Sequence, residues 1–113
     1  MSAVPEQSVD ELADALGHGG AMLDVRELDE WLEERIEGGL HVPLGEVPER
    51  VAEISAHVAA NGGGDLWVVC AAGGRSMKAA ELLTSNGVSS INVAGGTKAW
   101  VASGKPFASG PAE

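Results

Sequence analysis

Apolar residues fall into four short runs along the chain, separated by segments with a helical repeat. The runs AMLDV (residues 21–25) and LWVVC (66–70) are almost wholly apolar, as in strands that are covered on both faces of a sheet. GLHVPL (39–44) and SSINV (89–93) predict two further strands, with proline or glycine at or near their ends. We expect a five-stranded, mainly parallel sheet, of which this pattern locates four strands.

Between the strands, apolar residues recur three and four positions apart, which is the spacing of amphipathic helices. Ser8 and Glu11 form the sequence signature of a capping box at the start of the first helix. Strands that alternate with helices predict βαβ units, in which helices cover both faces of a parallel sheet. The segments predicted as helical are residues 8–16, 27–39, 47–60, 76–87 and 97–104.

The length of 113 residues suggests one folded unit, because domains commonly run from roughly 100 to 200 residues. Signals of regular structure begin at Ser8 and fade after Pro106. We therefore expect a single α/β domain over residues 8–106, with a flexible N-terminal tail at 1–7 and a C-terminal tail at 107–113. The hydrophobic content of 44% is enough for a buried core.

The formal net charge of −10 disfavours two classes of partner. Nucleic acids and anionic membranes both need a basic footprint, which the composition does not supply. No apolar stretch approaches the roughly 18 residues of a membrane helix, and the N-terminus has no signal-peptide pattern. We expect a soluble, cytoplasmic protein that binds neither nucleic acid nor membrane. The sequence leaves its oligomeric state open.

The single cysteine, Cys70, cannot form an internal disulfide and fits a reducing compartment. One cysteine and three scattered histidines lack the ligand spacing of a structural zinc site, so we expect no metal. Cys70 stands at the carboxyl end of a predicted strand, which is where open α/β sheets bind ligands. Its position therefore indicates a functional site.

The loop after Cys70 contains four small residues, then an arginine and a serine. Gly73 and Gly74 permit backbone angles with which successive N–H groups can hold an anion. A helix beginning at Ser76 would add unpaired N–H groups, and Arg75 would add a positive charge. Such surroundings favour the thiolate, which is the reactive form of cysteine. The alternative is a buried core cysteine, but that role does not require this loop.

Four motifs in this order resemble the rhodanese family of sulfurtransferases, over about residues 21–106. MLDVRELDEW resembles the family's Asp-Val-Arg segment, and RIEGGLHVP resembles its His-Ile-x-Gly-Ala element. CAAGGRS resembles the active-site loop with four residues between Cys and Arg, and NVAGGTKAW resembles the Gly-Gly-x-x-Ala-Trp signature. The resemblance implies a rhodanese-like α/β fold, with a parallel sheet wrapped by helices.

For the activity, the resemblance implies covalent transfer of sulfur through Cys70. Cys70 would take a sulfane sulfur from a donor such as thiosulfate and become a persulfide. Cyanide, a thiol or an acceptor protein would then remove the sulfur, with no metal or organic cofactor. Asp24 and Arg26 match the family's structural polar pair and would support the loop. The residues expected to hold the sulfur are Ala71, Ala72, Gly73, Gly74, Arg75 and Ser76.

Two departures from the family's pattern change this expectation. Ala71 stands where many active members carry a basic residue, which makes thiosulfate a less favourable donor for a chain of this charge. Arg35 stands where the family usually has histidine, and we expect it to form a salt bridge at the surface. The alternative function is therefore a low-activity sulfur carrier or protein-binding module. A Cys-loop phosphatase or arsenate reductase is a further alternative, although such loops place five residues between Cys and Arg.

Overall fold

The computed structural model describes residues 4–111, in which a parallel sheet carries helices on both faces. Within this range the strands are β1 (Glu6–Gln7), β2 (Ala21–Asp24), β3 (Leu40–His41), β4 (Leu66–Val69) and β5 (Ser90–Val93). They lie in the order β1-β5-β4-β2-β3, and every neighbouring pair is parallel. The α/β fold with a five-stranded parallel sheet, predicted from the sequence, is confirmed.

The helices of the described residues are α1 (Val9–Gly17), α2 (Leu28–Glu33), α3 (Val51–Ala60), α4 (Gly74–Ser85) and α5 (Gly96–Ala102). α1 begins with the predicted capping box, in which the Glu11 amide donates to Ser8 Oγ and the Ser8 amide donates to the Glu11 carboxylate. The helix predicted over 47–60 starts later, because Leu44–Glu49 forms a separate 3-10 helix that contains Pro48.

Successive side chains of β4 point to opposite faces of the sheet and therefore pack into two different hydrophobic cores. Leu66 and Val68, followed by Cys70, pack on the side of α3 and α4. Trp67 and Val69 face α1 and α5 on the other side of the sheet. Because both faces are covered, the strand is apolar throughout, and the side chain of Cys70 is directed toward α4.

The N-terminal tail predicted for residues 1–7 is wrong from Val4 onward. β1 pairs with Asn92 and Val93 of β5, and Val4 is buried. A strand of two residues has no alternating pattern that the sequence could reveal, and its pairing partner on β5 decides its conformation. β1 is the fifth strand that the hydrophobic pattern did not locate. Residues 1–3 lie outside the described residues.

The C-terminal tail predicted for residues 107–113 also carries structure. Ala108 forms an antiparallel bridge with Arg35, and the Gly110 amide donates to the Leu32 carbonyl at 2.7 Å. The helix predicted over 27–39 ends at Glu33, after which the backbone becomes extended and joins this bridge. The structured part of the domain therefore extends past Pro106, and residues 112–113 lie outside the described residues.

Arg35 is buried, so the expected surface position is wrong. Its side chain is 3% exposed, and its guanidinium carbon lies 3.7 Å from the centre of the Trp31 ring. Nη1 donates to the carbonyls of Gly110 at 2.6 Å and Trp31 at 3.2 Å, and Nη2 lies 3.5 Å from the Glu37 carboxylate. The ring face and the carbonyls together compensate for burial of the charge.

Candidate active site

Cys70 directly follows β4, and α4 begins four residues later at Gly74. The turn between them passes through Gly73, whose φ of 113° is a left-handed conformation that other residues resist. This turn directs the start of α4 back toward the sulfur. The Gly73 amide donates to Cys70 Sγ at 3.1 Å, and Ser76 Oγ lies 3.2 Å from the same atom. The thiol of Cys70 is therefore surrounded by hydrogen-bond donors at the carboxyl edge of the sheet.

The surroundings of Cys70 act on its pKa in opposite directions. Burial raises the pKa of the thiol, but hydrogen bonds to the sulfur together outweigh this effect. The Ser76 hydroxyl lowers the pKa most, followed by the backbone amides of Ser76, Gly73 and Ala72. The net pKa of Cys70 lies below its ordinary value, so the loop favours the thiolate.

The N-terminus of α5 holds the active-site loop from its other side. The amide of Thr97 donates to the Cys70 carbonyl at 2.9 Å, and the amide of Lys98 donates to the Ala71 carbonyl at 3.0 Å. This approach requires Gly96, because a Cβ atom there would lie 2.3 Å from the Cys70 carbonyl oxygen. The Gly-Gly pair at the start of α5 thus permits the contact that fixes the backbone of Cys70.

Arg75 of α4 pairs with Glu30 of α2. Its two terminal nitrogens donate to the two carboxylate oxygens at 2.7 and 2.8 Å, which is a bidentate ion pair. The hydrogen bond from Arg75 holds the pKa of Glu30 at about 2, well below its ordinary value of 4.5. Glu30 therefore stays ionised, neutralises Arg75 and ties α4 to α2.

Asp24 and Arg26 form a buried ion pair at the end of β2. Arg26 Nη2 lies 2.9 Å from Asp24 Oδ2 and also donates to the Glu34 carbonyl at 2.9 Å. Nη1 donates to the Glu30 carbonyl at 3.2 Å. These bonds attach α2 to the sheet at the level of the active-site loop. Since α2 carries Glu30, the pair supports the loop indirectly, through the Glu30–Arg75 contact.

Asn92 of β5 is a site residue that the sequence analysis missed. It is fully buried, and its Oδ1 accepts a hydrogen bond from Ser76 Oγ at 2.6 Å. Its Nδ2 donates to the Gly73 carbonyl at 3.1 Å. A large polar residue between Ile91 and Val93 of a buried strand was the available signal, because buried polar side chains are almost always paired. Glu30 gave no comparable signal, since it lies among many carboxylates on a charged helix.

A small cavity of about 120 Å³ opens beside Ala71. The charged residues of its lining are three carboxylates and two cations, Arg26 and Lys98. Arg26 is paired with Asp24 and Glu30 with Arg75, which leaves Glu33 and Glu34 against Lys98. This cavity, the mouth of the site, is therefore acidic. The residues that line the cavity are Arg26, Glu30, Glu33, Glu34, Ala71, Thr97 and Lys98.

Residues 4–111 contain neither a cluster of metal ligands nor a membrane-spanning helix. Among these residues, no three His, Cys, Asp or Glu side chains are grouped closely enough to hold a metal ion. No helix in this part of the chain combines the length and apolar character needed to cross a membrane.

Comparison with known proteins identifies the family. The model of the rhodanese-like domain matches residues 8–103, so the chain belongs to the rhodanese-like family. A crystal structure of a rhodanese-related protein from Thermoplasma volcanium superposes with a TM-score of 0.80 at 26% identity, covering 92% of this chain and 97% of that one. The resemblance inferred from the four motifs is confirmed.

Two relatives are named for sulfur chemistry. A Bacillus subtilis protein named as a candidate sulfur carrier is 32% identical over 102 residues, which cover 88% of this chain and 52% of the relative. This chain thus spans about half the length of that protein. A thiosulfate sulfurtransferase of Escherichia coli is 33% identical over 76 residues, covering 67% of this chain and 69% of that protein. The relatives that this chain resembles are thus named as a sulfur carrier and a sulfurtransferase.

The docking of α5 onto the active-site loop predicts the effect of Gly96→Ala. The added methyl group would meet the Cys70 carbonyl in a backbone conformation, φ 56°, that alanine rarely adopts. We expect the free energy of unfolding to fall by about 2 to 4 kcal/mol, measured by urea denaturation. Gly45→Ala is the matched control, because nothing lies near its Cβ position and its φ is not positive. Equal stability of the two variants would contradict the proposed contact.

The Glu30–Arg75 pair predicts a pH-dependent contribution to stability. Since the pKa of Glu30 is lower in the folded protein than its ordinary value of 4.5, the pair stabilises the fold above pH 4.5 and loses this effect as the pH falls toward 2. We expect Glu30→Gln to reduce the free energy of unfolding at pH 7 by about 1 kcal/mol, a small value because both side chains are about one-third exposed. The difference from wild type should shrink in denaturation curves recorded at successively lower pH.

The exposed Glu33, also on α2, provides the control for this measurement. Glu33→Gln should leave the stability close to that of wild type at every pH. A deficit in Glu30→Gln that is the same at pH 7 and at pH 3 would show that the ionised pair is not its cause.

Proposed function

We propose that this protein is a sulfurtransferase in which Cys70 carries the sulfur as a persulfide. One observation carries the proposal: Cys70 Sγ lies at the strand end where the Gly73 amide and the Ser76 hydroxyl converge. These donors stabilise a charged sulfur without a metal ion or a general base. The names of the two relatives support the same chemistry.

The reaction has two covalent steps. The Cys70 thiolate attacks the outer sulfur of a sulfane donor; with thiosulfate, a Cys–S–S⁻ persulfide forms and sulfite leaves with the electron pair of the broken S–S bond. A second nucleophile then attacks the outer sulfur of the persulfide. The bond between the two sulfurs breaks, and the thiolate of Cys70 is restored; with cyanide, the product is thiocyanate. In this proposal the amides of residues 71–76 hold the charged outer sulfur between the steps. The support is that the amides of Ala72, Gly73 and Ser76 already hydrogen-bond the sulfur of Cys70.

The loop is better suited to a sulfur atom than to a phosphate. Four residues separate Cys70 from Arg75, and both terminal nitrogens of Arg75 are occupied by Glu30. A phosphate-binding loop needs such a guanidinium for the anion itself. This geometry favours the sulfurtransferase over the phosphatase or arsenate reductase considered from the sequence.

The acidic mouth of the site bears on the choice of donor. A dianion such as thiosulfate approaches a chain with a formal charge of −10 through a cavity rimmed by Glu30, Glu33 and Glu34. Ala71, at the same cavity, contributes no compensating charge. We therefore propose that persulfidated thiols, which carry less negative charge at the reacting end, are better donors than thiosulfate.

A sulfur carrier with little turnover of its own is the second candidate function. The Bacillus subtilis relative is named as a candidate sulfur carrier, and Ala71 favours slow reaction with thiosulfate. A carrier would accept one sulfur on Cys70 and hold it until an acceptor protein removes it. The same persulfide is required, so only the turnover number separates the two functions.

The test of the proposal is the intact mass of the protein after mixing with a sulfane donor. We expect a gain of one sulfur atom in wild type, its removal by cyanide, and no gain in Cys70→Ser. Since Cys70 is the only cysteine, its thiol is the one site at which the added sulfur forms a persulfide. Thiosulfate and a persulfidated low-molecular-weight thiol serve as the two donors. Failure of both to add sulfur would contradict the proposal, and loading without steady turnover would favour the carrier.

Ala71 leaves the position after Cys70 without a positive charge, and this predicts the effect of Ala71→Arg. An added cation at the cavity should raise kcat/KM for thiosulfate about two- to fivefold, because it attracts the dianion, and the gain should decrease at high salt. Ala59→Arg on the exposed face of α3 makes the same change in net charge away from the site. An equal gain in Ala59→Arg would mean that net charge alone, and not the mouth of the site, limits the reaction.

A further inference from the structure

The Ser76 hydroxyl has two partners but only one proton. Its oxygen lies 3.2 Å from Cys70 Sγ and 2.6 Å from Asn92 Oδ1. A serine hydroxyl donates one hydrogen bond and accepts others through its lone pairs. The proton can therefore be directed either to the sulfur or to Asn92, but not to both at once.

Contacts on the far side of Asn92 fix which of its amide atoms faces Ser76. The other amide atom faces two acceptors, the Glu6 carboxylate at 2.9 Å and the Gly73 carbonyl at 3.1 Å. Only the amide nitrogen can donate to these groups, so the oxygen faces Ser76. An amide oxygen has no proton of its own, and the 2.6 Å contact therefore requires the hydroxyl proton of Ser76.

We infer that Asn92, held in place by Glu6, competes with the Cys70 thiolate for the hydroxyl proton of Ser76 and thereby controls how readily Cys70 ionises. The inference rests on the proposed function only in taking Cys70 as the nucleophile. In this role Asn92 and Glu6 are positioning residues, because they act on the sulfur through Ser76 and do not touch it.

The hydrogen-bond count differs between the two states of Cys70. In the thiol state, S–H donates to Ser76 Oγ and the hydroxyl donates to Asn92, so every group is satisfied. In the thiolate state, the hydroxyl turns to the sulfur and leaves Asn92 Oδ1 without its donor. Asn92 and Ser76 are both 0% exposed, so no bulk water replaces the lost partner. This penalty on the thiolate opposes the stabilisation that the loop amides supply.

The persulfide state returns the proton to Asn92. Once sulfur is transferred, the inner sulfur has neither a proton nor a charge, and the negative charge lies on the outer sulfur near the loop amides. The Ser76 hydroxyl then donates to Asn92 again. The direction of one hydroxyl thus changes with each step of the cycle, and it favours the thiolate only while Cys70 is the attacking group.

Other charged groups surround the site but do not change with this hydroxyl. Arg75 of α4 attracts the Cys70 thiolate and is paired with Glu30 of α2. Lys98 of α5 and Arg26 line the cavity beside Ala71, and Asp24 at the end of β2 is paired with Arg26. Their contributions are common to all variants below and cancel when the variants are compared.

The test is a double-mutant cycle on the pKa of Cys70, with Asn92→Ala and Ser76→Ala alone and combined. The ultraviolet absorbance of the thiolate is followed against pH, and all of its change comes from the one cysteine. We expect Asn92→Ala to lower the pKa of Cys70 by about half a unit to one unit, because the hydroxyl is freed to donate to sulfur. In the Ser76→Ala background, Asn92→Ala should have little effect.

This design separates competition for the proton from damage to the loop. Asn92→Ala also removes the bond to the Gly73 carbonyl, but it does so in both backgrounds, and that contribution cancels. A rise of the pKa in Asn92→Ala, or an equal fall with and without Ser76, would overturn the inference. No sulfur donor is present in the titration, so its outcome is independent of whether the proposed transfer takes place.

Glu6→Gln provides a second measurement should Asn92→Ala fail to fold. Glutamine retains an acceptor for Asn92 Nδ2 but removes the charge that polarises the amide. The pKa of Cys70 should fall more in the wild-type background than in the Ser76→Ala background. The exposed Glu49 serves as the control for loss of one carboxylate, and Glu49→Gln should leave the titration unchanged. An equal fall in both backgrounds would contradict the role of Glu6.

Discussion

Backbone groups that secondary structure leaves unpaired determine where this protein can perform chemistry. The first N–H groups of a helix have no partner within the helix, and two helices begin beside Cys70. The start of α5 uses its N–H groups to hold the carbonyls of Cys70 and Ala71. The start of α4 and the turn before it present theirs to the sulfur. The start of α5 therefore fixes the backbone of the loop, and the start of α4 provides the donors for a charged sulfur.

The two arginines near the site are neutralised within the structure. Arg75 is paired with Glu30, and Arg26 is paired with Asp24. The sulfur is consequently stabilised mainly by neutral donors at short distance, which do not attract an anion from solution as a free cation would. In a chain with a formal charge of −10, this arrangement separates two properties: the loop favours the thiolate of Cys70, but the surface does not concentrate anions.

Features that depend on local residues were predictable from the sequence. Three such features are the glycines before Arg75, the position of Cys70 at a strand end and the Gly-Gly pair at the start of α5. Each has a local physical cause, and together they located the loop and the family. Features that depend on contacts between residues far apart in the chain were not predictable from the sequence. β1 exists because β5 offers an open edge, and α2 ends early because Arg35 joins a strand bridge with Ala108. The Glu30–Arg75 and Ser76–Asn92 contacts likewise join residues 45 and 16 positions apart.

The most direct test of the account is the position of the transferred sulfur in a crystal structure of the protein loaded with a sulfane donor. The account predicts one additional atom bonded to Cys70 Sγ at about 2.05 Å, directed into the loop and within hydrogen-bond distance of amides of residues 71–76. An outer sulfur that pointed away from these amides would contradict the claim that the loop amides hold it. A loaded protein in which Cys70 remained unmodified would also contradict the account.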